Sequence, residues 1–344
     1  MDFMELKRQV ESAGLLERRY GYYAFKIFSS FALLSCLIVL LFYFSSFWLQ
    51  LIIAAGLAFS FVQVGLLGHD AAHLAIFKKK KWNDLAGLIF FGFVTGVGFN
   101  HWVWRHNAHH ANPNTEDEDP DVASVAQTVE EVEKKAGFRR FVYERQHFFF
   151  PFIMALSVTA YQIYGISYNI RMKKSSLKWA DSAMMLLHFA VFWVAPFFLL
   201  PWWKAISLVT TWRILMGLYF GAISATNHKG MRVIRKGEKL GFLEKQILTT
   251  RNVRMGRIVD FVYGGLNYQV EHHLFSDMPR VNFAKCKRIV MKFCSEQKIP
   301  YFETGVVRSY IDIVTSIRRV SIAARKKRLE SKKQLFAVKG PARA

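Results

Sequence analysis

The chain has 344 residues, 52% of them hydrophobic and 16% aromatic, and its 47 basic against 25 acidic side chains give a formal net charge of +22. Apolar residues are gathered in blocks instead of at amphipathic spacing, which points to the bilayer and away from a water-facing fold. In such a chain the basic run Arg325 to Arg328 is expected to meet anionic lipid or an acidic protein instead of nucleic acid. Cys36, Cys286 and Cys294 show no Cys-x-x-Cys spacing and cannot alone ligate an iron–sulfur cluster, so they read as plain thiols in a reducing compartment.

In chain order, Met1 to Arg19 is charged, lacks an apolar core and does not read as a cleaved signal peptide. A spanning helix needs about 20 mostly apolar residues. Four segments qualify: Ile27 to Leu49, Leu51 to Leu67, Ser182 to Trp202 and Ala205 to Ala225, forming two hairpins with very short outer turns. Leu85 to Phe99 is short and glycine-rich, and Phe148 to Ile166 is interrupted by Pro151, Gln162 and Gly165; both are expected to be interfacial or partly re-entrant. Arg18, Arg19 and Lys26, Lys78 to Lys81, Arg171, Lys173 and Lys174, and the basic tail all fall on one side of this arrangement, with Lys204 on the other. The positive-inside rule therefore places both termini in the cytoplasm. The expected organisation is an all-α polytopic membrane protein with four transmembrane helices and a cytoplasmic helical cap. A cytoplasmic segment covers 1–26, a single membrane domain 27–318, and a basic tail that frays 319–344. There is no internal repeat.

Three histidine clusters follow the apolar runs: His69-Asp-Ala-Ala-His73, His106-Asn-Ala-His109-His110 and Gln269-Val-Glu-His272-His273. On a helix, positions i, i+3 and i+4 share a face, so each cluster presents its imidazoles together while Asn107 and Glu271 point elsewhere. Seven histidines exceed the four ligands of a structural zinc, and imidazole suits iron, copper, zinc and nickel, so a pair of metals is implied. If Leu85 to Phe99 crossed the bilayer, the first two clusters would lie on opposite sides and could not share a site. His101 lies off the face of the second cluster, and His147 and His188 are isolated; all three read as structural or interfacial. Glu144-Arg-Gln-His147 imitates a di-iron Glu-x-x-His element but has no second copy.

These residues resemble the integral-membrane fatty acid desaturase family over about Leu51 to Arg280. The likeness rests on the order and spacing of the clusters, on Gly68-His69-Asp70, on the His-Asn-x-His-His form with downstream Pro113-Asn114 and Asp119-Pro120-Asp121, and on Asn267-Tyr268-Gln269-Val270-Glu271-His272-His273. The resemblance implies a non-haem site of two iron ions at the cytoplasmic membrane face, dioxygen as co-substrate, and a new double bond in an acyl chain. It assigns metal ligation to His69, His73, His106, His109, His110, His272 and His273, and adds His228 just beyond the fourth span. Gln269 stands where many relatives carry histidine, as a direct ligand or through a metal-bound water. Asp70, Asp119, Asp121 and Asp260 are candidates to orient imidazoles through their second N–H groups. Arg213, 15 residues before His228 and so about 22 Å away along a helix, is expected to snorkel to the outer interface.

The Gln-x-x-His-His form resembles the front-end desaturases, which implies an already unsaturated chain carried on a membrane lipid or on CoA. Neither a His-Pro-Gly-Gly haem motif nor a cysteine cluster is present. Electrons are therefore expected from an acidic external donor such as a ferredoxin or a b-type cytochrome. A bacterial plasma membrane is the expected location. The rival readings are a di-iron hydroxylase of alkyl, sterol or carotenoid substrates, a metal transporter with histidines strung through its spans, and a membrane haem cytochrome.

Overall fold

The computed structural model describes residues 3–121, 125–173, 175–254 and 256–339; Lys174, one of the basic residues counted above, lies outside them. The helices in chain order are α1 (Phe3–Ser12), α2 (Tyr20–Tyr43), α3 (Phe47–Ala72), α4 (Lys80–Gly87), α5 (Phe99–Ala111), α6 (Val129–Glu133), α7 (Gly137–Tyr143), α8 (Gln146–Ala155) and α9 (Ser157–Arg171). They continue with α10 (Ser176–His188), α11 (Pro196–Leu199), α12 (Trp202–Ala225), α13 (Phe242–Leu248), α14 (Gly256–Tyr263), α15 (Gln269–Leu274), α16 (Phe283–Glu296) and α17 (Val306–Lys339). The short strands β1 (Asn252–Arg254) and β2 (Glu303–Gly305) pair in parallel.

Four helical stretches among the described residues are long and apolar enough to span a bilayer: Tyr20–Tyr43, Phe47–Ala72, Ser176–Leu199 and Trp202–Ala225. At 1.5 Å per residue, 24 residues reach about 36 Å, enough for the hydrocarbon core. The spans differ from the apolar segments expected from sequence: all four start earlier than expected, the first stops at Tyr43, six residues before Leu49, and the third stops at Leu199, three before Trp202. The second span starts four residues earlier than Leu51 and ends five later than Leu67, because Gly68 to Ala71 are buried beneath other helices instead of meeting water. The first cluster therefore begins within the last turn of the span, with His73 just after it. α3 is the central span, packed against α2 and α12, whereas α2 turns most of its side chains outward.

Neither ambiguous apolar stretch is a straight span. Lys80–Thr95, which is π-helical from Leu88, and α5 meet at 107°, and α8 and α9 meet at 65°. Gly96 makes the first bend: its φ is +70°, and a Cβ there would lie 2.3 Å from the His188 ring. Close packing holds the second pair against α12, where a Cβ on Gly217 would meet the Ala155 carbonyl at 1.9 Å.

Arg213 does not snorkel. It is 6% exposed, its guanidinium donates to Gln162 Oε1 (2.8 Å) and Thr159 Oγ1 (3.1 Å), and it lies over the rings of Trp193 and Trp212. Amide, hydroxyl and aromatic faces replace the interface as its solvent. At 318/319, where sequence places the start of the basic tail, α17 runs on without a break, held to the body by Ile313, Ile317 and Ala324.

Candidate metal centre

The eight histidines converge where α3, α5, α12 and α15 end or begin. His69 and His73 stand on and just after the last turn of α3, His106, His109 and His110 on α5, His228 three residues beyond α12, and His272 and His273 on α15. They form two groups rather than one per cluster. His69, His73, His106 and His272 bring one ring nitrogen each within 4.8 Å of one another, and His109, His228 and His273 do the same. The split follows helix geometry: adjacent positions diverge by about 100°, so His272 turns to the first group and His273 to the second. His110 stands between them, its Nε2 3.0 Å from that of His106 and its ring stacked on His273 at 4.2 Å.

In the second group every imidazole has its Nδ1 proton committed. His109 donates to Asp119 at 3.0 Å, His228 to the Thr249 carbonyl at 3.3 Å and His273 to Gln246 Oε1 at 2.8 Å. Gln246 is itself oriented, since its Nε2 donates to the His110 carbonyl. In a neutral ring the Nε2 is then a bare lone pair, and that of His228 lies 3.2 Å from His109 Nε2 and 3.1 Å from His273 Nε2. Lone pairs facing one another this closely call for a cation. In the first group, both ring nitrogens of His69 and the Nε2 atoms of His73 and His272 are buried without a hydrogen-bond partner, the cost of which a bound metal would remove. Burial and then neighbouring imidazoles hold His73, His228, His272 and His273 well below the usual imidazole range, so they are neutral and able to ligate. Donor type, number and grouping fit two imidazole-bound metals.

Gln269 borders the second group. Asn227 Nδ2 donates to Gln269 Oε1 (2.9 Å), which leaves the Gln269 amide N–H to face His228 Nε2, also at 2.9 Å. Glu271 does point elsewhere, accepting from Asn252 and Tyr301 at 2.7 Å each, with burial pushing its carboxyl up to about 7.

Of the four aspartates expected to orient imidazoles, Asp119 makes that contact directly. Asp121 holds Arg105 and Tyr161 and stands 3.9 Å from His106 Nδ1. Asp70 is 3.6 Å from His69 Nδ1 and is engaged by Tyr23 and Arg280. Asp260 touches no imidazole: it accepts from Asn267 and Tyr268 and so fixes the turn that leads into α15. Sequence reading missed Trp102, whose ring stacks on His106 at 4.1 Å. Its position one turn before His106 was the available signal. Thr249, Gln246 and Asn227 carried none, since their roles depend on loop placement.

His101 and His188 lie apart from both groups. His188 donates to the Phe93 carbonyl beside Gln162, and His101 sits among Trp104, Tyr161, Tyr164 and Tyr168. Glu144 pairs with Arg140 and Arg328. A cavity of about 1070 Å³ passes His69, His106, His109 and His228 and follows one face of α9 through Ser157, Tyr161, Tyr164, Tyr168 and Arg171. From His69 and Trp102 a narrower apolar cleft continues between the spans past Gly65, Thr95 and Met216.

A family model described as fatty acid desaturase matches residues 45–305. An acyl-lipid (9-3)-desaturase of Physcomitrium patens is 27% identical over 335 residues, covering 94% of this chain and 63% of that protein. Fatty acid desaturase 3 of Bos taurus is 29% identical over 331 residues, covering 92% of this chain and 72% of that protein. A fatty acid desaturase 2-like protein of Mus musculus is 27% identical over 331 residues, covering 92% and 66%. The chain thus spans less than two thirds of the length of the moss and mouse relatives. All three sources are eukaryotes, which lends nothing to the expected bacterial plasma membrane. With the match extending over well more than half of its length, the chain belongs to the fatty acid desaturase family.

Proposed function

We propose that this protein is an oxygen-dependent acyl desaturase whose histidine groups hold two iron ions. The observation that carries the reading is the set of buried imidazole nitrogens facing one another beside a cavity of about 1070 Å³. Iron bound there would supply, with dioxygen and two electrons, the oxidising power to remove hydrogen from an unactivated methylene. The chain's own residues bind, orient and keep dry. Thr249, Gln246 and Asp119 fix the rings of the second group, and Trp102 packs on His106. The cavity of about 1070 Å³ that follows α9 past Tyr161 and Tyr164 has the room to receive the acyl chain. Gln269, with its oxygen occupied by Asn227, offers an N–H toward the second group, which favours a hydrogen bond to a metal-bound water over direct ligation.

The Gln269 form of the third cluster, together with the printed name of the moss relative, supports a front-end enzyme acting on an already unsaturated, lipid-linked chain, with the CoA thioester as the next choice. The basic excess supports an acidic external electron donor. The same excess, by the positive-inside rule, supports a cytoplasmic site. Double-bond localisation by mass spectrometry on total fatty acids of a host with and without the gene tests the activity. A new double bond dependent on His273 is the expected result, and a hydroxylated product or none would overturn it. Labelling from outside should reach a cysteine at Trp203 and miss cysteines at Lys79 and Lys239.

A further inference from the structure

We propose that α17 lies in the plane of the membrane and binds anionic phospholipid along its outward face. The helix packs its inner side, Ile313 and Ile317, against Phe150 of α8 and Ala225, the last residue of the fourth span. It is therefore held at the depth where that span leaves the hydrocarbon. Arg328 on Glu144 and Lys327 on Glu133 fix its far end to α6 and the α7–α8 corner.

The outward face carries Val307, Ile311, Val314, Arg318, Ile322, Arg325 and Leu329, each three or four residues after the last, so they form one stripe. The apolar members are left uncovered: Val307 is 73% exposed, Ile311 51% and Leu329 56%. Arg319 and Lys326 flank the same stripe and are exposed. The neighbouring helices continue the surface with Phe148 and Phe152 of α8 and Phe138 of α7, all more than 65% exposed. A long helix with an apolar stripe interrupted and edged by arginine and lysine is the pattern of an interfacial helix. Its apolar side chains enter the acyl boundary while the long basic side chains rise to the phosphates. An acidic soluble protein would instead leave five large apolar side chains facing water or a polar partner. Lipid accounts for both halves of the pattern, and the negative leaflet supplies the complementary charge. This reading rests on the membrane fold and is independent of the reaction.

The test uses the full chain in liposomes of phosphatidylcholine with or without phosphatidylglycerol. Cys36, which is exposed on α2, is replaced by serine, while Cys286 and Cys294 are buried. A nitroxide at Ile322→Cys or Ile311→Cys should be several-fold more accessible to oxygen, and less to an aqueous nickel chelate, than one at Glu330→Cys. Replacing Arg318, Arg319, Arg325 and Lys326 by Gln should reduce phosphatidylglycerol retained by the purified protein, by up to about fivefold per charge removed. These residues lie outside the packed face, and the nitroxide arm leaves them intact. Equal nickel accessibility at Ile322 and Glu330 would overturn the in-plane placement. Unchanged phosphatidylglycerol retention would overturn the anionic preference. Nickel protection that depends on an added acidic protein instead of on lipid would replace the proposal with a protein-docking face.

Discussion

The two histidine groups are built on different principles. The second has fewer imidazoles, His109, His228 and His273, but each ring is fixed through Nδ1 by a partner on another part of the chain. The first has His69, His73, His106 and His272 with His110 beside them, yet His69 meets Asp70 only at 3.6 Å and His106 meets Asp121 only at 3.9 Å. One group is defined by orientation and the other by number. A ligand lost from the first leaves others within reach. A ligand lost from the second leaves two histidines and an amide.

The largest expected effect follows. His228→Ala should take bound iron from about two to about one per chain and abolish turnover, as three protein ligands are the usual minimum for a held catalytic metal. His73→Ala should retain more of its metal, because His69, His106, His110 and His272 remain. Elemental analysis of the purified variants decides the matter, and equal iron loss in both would erase the contrast. His106→Ala and His273→Ala should also abolish turnover without preventing membrane insertion.

Next in size are the partners of the rings. Asp119→Asn removes the carboxylate that receives the His109 proton, and changes of this kind typically lower metal affinity by about 10- to 100-fold. Asp121→Asn should cost less metal, since Asp121 gives Oδ1 to Arg105 and Tyr161 while its Oδ2 stands 3.9 Å from His106 Nδ1, beyond hydrogen-bond reach. Competition with a chelator measures both. A greater loss in Asp121→Asn would show that the first group is braced after all.

Which parts of this site could be read from the sequence follows the range of the interactions. Spacing within a helix placed His69 with His73 and His106 with His110, because three- and four-residue neighbours share a face. It could not show that His106 and His109 would part company, since that depends on where α15 delivers His272 and His273. Apolar length located the four spans. The end of the second was misjudged by five residues because buried polar side chains, His69 and Asp70, extend the helix beneath other elements, and the end of the first by six because the helix breaks at Phe44 to Ser46 within an apolar run. Arg213 was misread because Gln162 and Trp193 are remote in sequence, and only packing of α9, the Ser176–Leu199 span and α12 brings them to it. Asp260 looked like a partner for imidazole because it precedes the third cluster, but its reach is spent on Asn267 and Tyr268.

A smaller effect is expected at Gln269. Gln269→His places an imidazole where the amide now donates toward His228, so the second group should gain a ligand and lose a hydrogen-bond donor. Activity should shift more than double-bond position, because position depends on how far the chain enters the cavity along α9. Product analysis with an unsaturated and a saturated substrate checks this. A moved double bond would assign the choice of carbon to Gln269 itself.

The smallest effect tests whether the first group has any brace. Tyr23 donates to Asp70 Oδ2 at 2.8 Å, and Arg280 engages the same oxygen. Tyr23→Phe removes one hydrogen bond to a buried carboxylate that keeps its ion pair, which should cost about 1 to 2 kcal/mol of stability. Asp70 can then move only slightly, and His69 depends on it little at 3.6 Å, so iron content should stay at the wild-type value while the unfolding midpoint falls. If Asp70 does steer His69, loosening the carboxylate should release iron from the first group, and thermal shift and iron content would fall together. Parallel loss would make Asp70 the counterpart of Asp119 and remove the difference between the two groups; loss of stability alone would confirm that the first group relies on the number of its imidazoles.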